Sequence, residues 1–305
     1  MPSALSLSKT RARTSLRKMM PLKLEYDVFF IPGWTDQGCL AWIEPYTEGG
    51  TSRRLGWEYT IRDWAEKILD APSQQKIHFV KLLKNEEYFH IERFQSGPRE
   101  GKVRFCNWEQ DETYSYENFF QFAELLKETI RASRCTRFDL VGHSMGGLDI
   151  AAALTLDPNI DSEPEVKHFI KTSPLSGARN IITFSTPFRG SPGGWLVRNT
   201  KLDEIFMRSW SKGIRSQAEA MSPDSPFIKI ITNPQRQKRL VKNISGVVYT
   251  FGSDNDKAVP SANRMIDGAI NYPPADFSLA QHSQRMGIPQ DPRTALELFR
   301  ILIKN

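Results

Sequence analysis

The chain has 305 residues, of which 39% are hydrophobic and 25% charged, and its formal net charge is +6. This length suits one large α/β domain or two small ones and allows a sizeable buried core. Five of the 41 basic residues lie within positions 1–18, which contain no acid, so the rest of the chain is nearly neutral and is not expected to bind nucleic acid.

Residues 1–19 form a basic leader that is rich in Ser, Thr, Arg and Lys. Such a segment cannot bury enough apolar surface to offset its ordering entropy, about 1–2 kcal/mol per residue for the backbone, so we expect disorder. It lacks the apolar stretch of a secretory signal, and no apolar run in the chain reaches the ~18 residues of a membrane span. The three cysteines are widely spaced and predict neither a disulfide framework nor a metal site, which favours a cytoplasmic location.

Strands and helices alternate along residues 20–305, which predicts a single α/β domain with a mainly parallel sheet and helices on both faces. Residues 84–111 are polar and irregular, and we expect an insertion without regular structure there. Residues 187–242 interrupt the alternation with several Pro and Gly and a helix. The predicted strands cover residues 26–31, 76–83, 138–141, 180–185, 247–252 and 269–272. The predicted helices cover residues 57–69, 116–130, 145–156 and 291–303.

A G-x-S-x-G sequence occupies residues 142–146, between an apolar strand and a helix. In a nucleophile elbow the serine lies on a sharp strand-to-helix turn with strained backbone angles. Gly142 and Gly146 would avoid collisions across this turn, and Gly147 would let the helix pack closely. The helix dipole places positive charge beside the hydroxyl. The pattern therefore predicts Ser144 as a catalytic nucleophile.

The segment 141–147 resembles the nucleophile elbow of lipases and serine esterases of the α/β-hydrolase superfamily. Residues 185–191 resemble the T-P-x-x-G-S segment that follows the next strand in this group. Residues 220–227 resemble a lid-region segment of serine esterases and inositol-deacylase-like lipases. The resemblance covers about residues 24–304 and implies an α/β-hydrolase fold with an inserted helical cap, about residues 188–242. These motifs specify the fold and the nucleophile better than the substrate.

An activated serine needs a general base, and in this fold the chain order is Ser, then Asp or Glu, then His. His168 comes before the strand that should carry the acid. His282 lies between the last predicted strand and the final helix, where the fold delivers its base, and we expect it to be catalytic. The other three histidines precede the nucleophile: His78, His90 and His143.

The acid is expected after the strand at 247–252. Residues 256–260 resemble the D-x-x-V-P segment after the seventh strand of related esterases, which places Asp256 on the catalytic position. Asp254 is the alternative, and its other interpretation is a turn residue that caps the loop with its own carboxylate.

Two backbone N–H groups are expected to stabilise the oxyanion of acyl transfer. One belongs to Met145, the residue after the nucleophile. The second is expected from the loop at residues 31–34, where Pro32 replaces the usual histidine of the family's H-G-x loop. Trp34 is the candidate donor, with Thr35 as the second choice.

An amphipathic helix is predicted within the cap, with basic residues away from its apolar face. It either packs over the core or forms a mobile lid over an acyl pocket that touches lipid. We therefore expect the protein to contact a membrane surface transiently, through the cap or through the basic leader. The apolar face consists of Leu202, Ile205, Phe206, Trp210 and Ile214.

Together these features predict a serine hydrolase that cleaves carboxylic esters through a Ser-His-Asp triad and an acyl-enzyme intermediate. The expected substrate is a small-molecule ester or a lipid, and no metal or organic cofactor is implied. A thioesterase or an acyltransferase would use the same residues. A non-catalytic binding protein of this fold usually lacks a triad member, so the complete set argues against that class. The natural ester, the acyl length and the oligomeric state stay open.

Overall fold

The structure is a computed structural model that describes residues 26–31, 88–91, 103–106, 119–192 and 219–273. It also describes Gly33 and five residues near the C-terminus: Thr294, Glu297, Leu298, Ile301 and Leu302. The leader, the predicted helix at 57–69, the predicted strand at 76–83 and the predicted cap helix lie outside the described residues.

Seven strands form one sheet in the described part of the chain, in the order β2-β3-β1-β4-β5-β6-β7. Strand β2 is antiparallel to β3, and all other neighbours are parallel, so the predicted mainly parallel sheet is confirmed. Strands β4 and β5 are buried along their whole length, as expected for strands covered on both faces. The strands are β1 (Asp27–Ile31), β2 (Tyr88–Ile91), β3 (Val103–Cys106), β4 (Phe138–His143), β5 (Ala178–Phe184), β6 (Val248–Phe251) and β7 (Ile270–Asn271).

The helices cover the sheet and share one hydrophobic core with it. The apolar face of α1 packs on α2, and Phe119 stacks on Phe227 of α4 with ring centroids 4.6 Å apart. The described residues of the predicted final helix are helical, and Leu298 is fully buried. The helices are α1 (Phe119–Ala132), α2 (Met145–Thr155), α3 (Pro164–Phe169), α4 (Pro226–Ile231), α5 (Pro234–Lys242) and a 3-10 helix (Ser261–Arg264).

The expectation of an irregular insertion at residues 84–111 was wrong. Strands β2 and β3 lie within this interval and pair with each other. The register of β3 is set by β1, with Val28 opposite Val103 and Phe30 opposite Phe105. This pairing partner is about 75 residues away in the chain, so the local polar composition of the segment gave no signal for it.

Helices α4 and α5 belong to the interval 188–242 that the resemblance assigned to the cap. Each begins with a capping side chain followed by proline: Ser225 Oγ accepts from the Ile228 N–H at 3.1 Å, and Asn233 Oδ1 accepts from the Gln235 N–H at 2.9 Å. Both helices pack against α2, and Phe227 is buried in the main core. This part of the interval is therefore built into the domain.

Asp149 is a fully buried acid within α2, all eleven residues of which are buried. Neither of its carboxylate oxygens has a hydrogen-bond partner within the described part of the chain. Gly147 lies against the side chain of Thr186 beside the sheet. At 100° per residue, Asp149 therefore lies on the side of α2 away from the sheet. Burial without a partner raises the pKa of Asp149 well above its usual range, because the charged form loses its hydration.

The charged groups on the helices around α2 make other contacts. Lys127 on α1 donates to the Leu156 carbonyl at 3.2 Å, at the far end of α2. On α5, Arg236 and Arg239 pair with Asp161 at 3.1 Å and 2.8 Å. Desolvation is accordingly the cause of the raised pKa of Asp149.

We expect Asp149→Asn to change how stability depends on pH. Because the folded-state pKa is raised, the contribution of Asp149 is fully present below its unfolded pKa, about 3.9, and is lost as pH rises toward the folded value. The unfolding free energy of the wild type should fall relative to that of the variant by up to about 1.4 kcal/mol per pH unit in this window. Urea denaturation from pH 4 to pH 7 measures the difference, with Asp267→Asn, at a 90% exposed side chain, as control. A difference independent of pH would show that Asp149 is ionised in the fold.

Candidate active site

Ser144 lies at the junction of β4 and α2 with φ 50° and ψ −122°. A positive φ is uncommon for a residue with a side chain and persists only where the surroundings fix it. Here the Ser144 N–H donates to the Phe184 carbonyl of β5 at 2.8 Å, and the Ser144 carbonyl accepts from the Gly147 N–H at 3.2 Å. This is the strained strand-to-helix turn that the sequence predicted.

The two sides of this turn approach each other so closely that Gly142 and Gly147 cannot carry side chains. A Cβ on Gly142 would lie 2.7 Å from the Gly147 nitrogen and 2.8 Å from Ile150 Cδ1. A Cβ on Gly147 would collide with the Thr186 side chain. Contacts of this length do not occur in packed proteins, so both glycines are required by the close packing of α2 on the sheet.

The N-terminus of α2 points its backbone donors to the carboxyl edge of the sheet. Met145 is the first residue of the helix, and its N–H is among the four that have no acceptor within a helix. Ile31 of β1 is opposite Gly142 of β4, so the loop after β1 begins beside the nucleophile turn. Trp34, the second candidate donor, lies outside the described residues.

Asp256 lies in the loop after β6 and is 4% exposed. Its Oδ1 accepts from the N–H groups of Ala258 and Val259, both at 2.9 Å. Asp254, the alternative acid, is exposed. Because parallel strands end at the same edge and β6 is two strands from β4, about 10 Å separates the strand ends that carry Ser144 and Asp256.

Ser185 lies between these two strand ends, and the sequence analysis gave it no role. It ends β5 with φ 48°, and its N–H donates to the Phe251 carbonyl of β6 at 2.8 Å. Its buried hydroxyl has no partner among the described residues. Ser144 and Ser185 thus repeat one arrangement on adjacent strands. A serine after an apolar strand is too common a pattern to reveal a positive φ in advance.

Arg264 is a buried cation beside the Asp256 loop that the sequence analysis also missed. Its guanidinium donates to the Thr250 carbonyl at 3.2 Å and to the Tyr272 carbonyl at 2.6 Å. Burial lowers the pKa of Arg264, while the charges of Asp254 and Asp256 oppose that shift. An arginine stays protonated under such shifts, so Arg264 places a buried positive charge beside the Asp256 loop.

The three histidines that the structure describes are poorly placed to serve as base. His168 is exposed on α3, beyond the end of α2 that points away from the carboxyl edge. His143 is buried in β4 directly before the nucleophile, and His90 lies on the edge strand β2. His282 and His78 lie outside the described residues.

Two general properties concern the described residues as a whole. They contain no group of three or more His, Cys, Asp or Glu side chains that could hold a metal ion. None of their helices combines the length and the apolar character that crossing a membrane requires.

Comparisons with known proteins gave matches among solved structures, whereas neither protein-family models nor curated protein sequences matched the chain. The mature form of the lipase BlEst2 of Bacillus licheniformis is 12% identical with a TM-score of 0.50, over 93% of this chain and 95% of that one. Its propeptide form is 13% identical with a TM-score of 0.53, and the match covers 94% of this chain and 52% of that one. Phospholipase PlaB of Legionella pneumophila is 14% identical with a TM-score of 0.50, and the match covers 92% of this chain and 60% of that one.

This chain therefore spans about half of the propeptide form and 60% of PlaB. Identities of 12–14% leave the activity open, but the likeness runs over nearly the whole chain and agrees with the strand order and the nucleophile turn. The protein has the α/β-hydrolase fold, as do these lipases and this phospholipase.

Proposed function

We propose that this protein is a serine hydrolase of carboxylic esters, with Ser144 as its nucleophile. The observation that carries the proposal is the strained turn at Ser144, which places the hydroxyl between the end of a central strand and the positive end of a helix. Such strain costs about 1–3 kcal/mol and is concentrated at functional sites.

The proposed reaction uses one base twice. His282 accepts the proton of Ser144 Oγ while Oγ attacks the ester carbonyl carbon, and the N–H groups of Met145 and Trp34 bind the oxyanion. The tetrahedral intermediate collapses as His282 returns the proton to the departing alcohol. Water then attacks the acyl carbon while His282 takes its proton. His282 returns this proton to Ser144 Oγ as the bond from Oγ to the acyl carbon breaks, which releases the carboxylic acid and regenerates Ser144.

Asp256 is the proposed acid that fixes the imidazole tautomer. Two N–H groups on one carboxylate oxygen stabilise its charged form and fix its orientation, and both are properties that an orienting carboxylate needs. Asp254 is exposed to solvent. The buried position and the fixed orientation favour Asp256.

The substrate class is proposed from the names of the similar structures, which are lipases and a phospholipase. A small-molecule ester or a lipid ester is the corresponding substrate here. Contact with a membrane surface through the cap or the basic leader belongs to the same proposal and concerns residues outside the described ones. Purified protein assayed on esters and thioesters of graded acyl length would identify the preferred acyl group.

Ser144→Ala should abolish ester hydrolysis and labelling by a fluorophosphonate probe, because the probe reacts only with an activated serine. Circular dichroism should be unchanged. Ser185→Ala is the matched control, since Ser185 also has a positive φ at the same sheet edge, and this variant should still be labelled. Labelling that persists in Ser144→Ala would identify another nucleophile.

Asp256→Asn should lower kcat by several orders of magnitude, as loss of the orienting carboxylate does in serine proteases, where the effect is about 10⁴-fold. Asp254→Asn should change kcat by less than about fivefold, because an exposed carboxylate does not hold the imidazole. Steady-state kinetics on one soluble ester compares the two variants. A larger loss of kcat in Asp254→Asn than in Asp256→Asn would assign the role of the acid to Asp254.

His282→Ala should remove most of the activity, since the nucleophile then has no base. His168→Ala is the control, as this side chain is exposed on α3. Esterase activity and melting temperature should be measured for both variants. An equal loss of activity at unchanged stability would contradict the assignment of the base.

A further inference from the structure

Ser191 belongs to the loop after β5, yet its side chain reaches the loop of Asp256. The hydroxyl donates to the Ala258 carbonyl at 2.8 Å, across 67 positions of the chain. Ser191 is 8% exposed, so little water competes for this bond.

The bond from Ser191 ends on the same peptide unit that holds the carboxylate. The Ala258 carbonyl and the Val259 N–H form one planar peptide, and the Val259 N–H donates to Asp256 Oδ1 at 2.9 Å. The Ser191 hydroxyl therefore holds the carbonyl side of this rigid peptide, while the Asp256 carboxylate accepts from its N–H side. Bonds in series through a peptide also polarise each other, which strengthens the N–H donor.

The backbone around Ser191 is itself held in place. The Ser191 N–H donates to the Met221 carbonyl at 2.8 Å. Asn263 binds the two preceding residues: its carbonyl accepts from the Arg189 N–H, and its Nδ2 donates to the Gly190 carbonyl, both at 2.8 Å. The hydroxyl is therefore presented to Ala258 from a fixed support.

The other end of the same loop lies against the nucleophile turn. Thr186 is fully buried, and its side chain occupies the space that a Cβ on Gly147 would need. Residues 186–191 thus touch the nucleophile turn at one end and the acid loop at the other. This loop therefore links the Ser144 turn to the Asp256 loop.

We infer that Ser191 is a positioning residue, whose hydroxyl holds the carboxylate of Asp256 at its working distance from Ser144. The inference rests on the proposed function, in which Asp256 orients His282. In this role Ser191 acts through the peptide between Ala258 and Val259 and not on the reacting atoms.

A double-mutant cycle between Ser191→Ala and Asp256→Asn tests this role, with the rate of fluorophosphonate labelling of the full chain as readout. Alone, Ser191→Ala should slow labelling about tenfold, the effect expected from losing one buried hydrogen bond. In the Asp256→Asn background it should cause no further loss. Ser191→Thr keeps the hydroxyl and should label within about twofold of wild type.

Ser225→Ala is the matched control, because Ser225 is also a buried serine that donates to a carbonyl, that of Ala220 at 2.6 Å. It should lower the melting temperature without slowing labelling in the folded protein. Equal slowing by Ser191→Ala in both backgrounds, or no slowing in either, would overturn the inference. A labelling rate that falls as much in Ser191→Thr as in Ser191→Ala would also overturn the inference.

Asp256→Asn alone separates this inference from the proposed function. If Asp256→Asn slows labelling strongly and Ser191→Ala does not, the role of Ser191 is wrong and the triad stands. If Asp256→Asn labels at the wild-type rate, the acid assignment fails and the role of Ser191 fails with it.

Discussion

The hydrogen bond from the Ser144 N–H to the Phe184 carbonyl is the interaction on which the site depends. It lets the chain leave β4 at a positive φ and enter α2 without a loop between them. The close approach of α2 to the sheet, with no room for side chains at Gly142 and Gly147, follows from that turn. The strained conformation persists because the neighbouring strand and the helix both fix it.

Charge is distributed differently at the two edges of the sheet. At the carboxyl edge, Arg264 lies buried near the Asp256 loop. At the amino edge, Arg179 forms a buried ion pair with Asp139, with Nε 2.9 Å from Oδ1, and also donates to the Leu302 carbonyl at 2.8 Å. The second bond ties the end of the C-terminal helix to β5. One buried arginine therefore links the described part of this helix to both β4 and β5.

The sequence was most informative where function demands a local pattern. The glycines around Ser144 and the buried strand before it predicted the elbow, because the turn itself requires those residues. Asp256 was predicted from its resemblance to a short family motif, and the structure buries Asp256 while it exposes Asp254. The strands β2 and β3 were missed because their pairing is set by β1, far away in the chain. The contact of Ser191 and the burial of Asp149, which has no partner among the described residues, were missed for the same reason, since contacts and burial arise only when distant segments meet.

The repeated bond from one strand end to the next has a consequence for how activity arises during synthesis. Ser144 is held by the end of β5, and Ser185 at that end is held in turn by Phe251 of β6. During synthesis Ser144 is made well before β6, the strand that completes this series of bonds. A chain that ends before Phe251 therefore lacks the support that this series of bonds gives to the positive φ of Ser144. Under the proposed function, the activation of Ser144 depends on a strand that ends more than one hundred residues later in the chain.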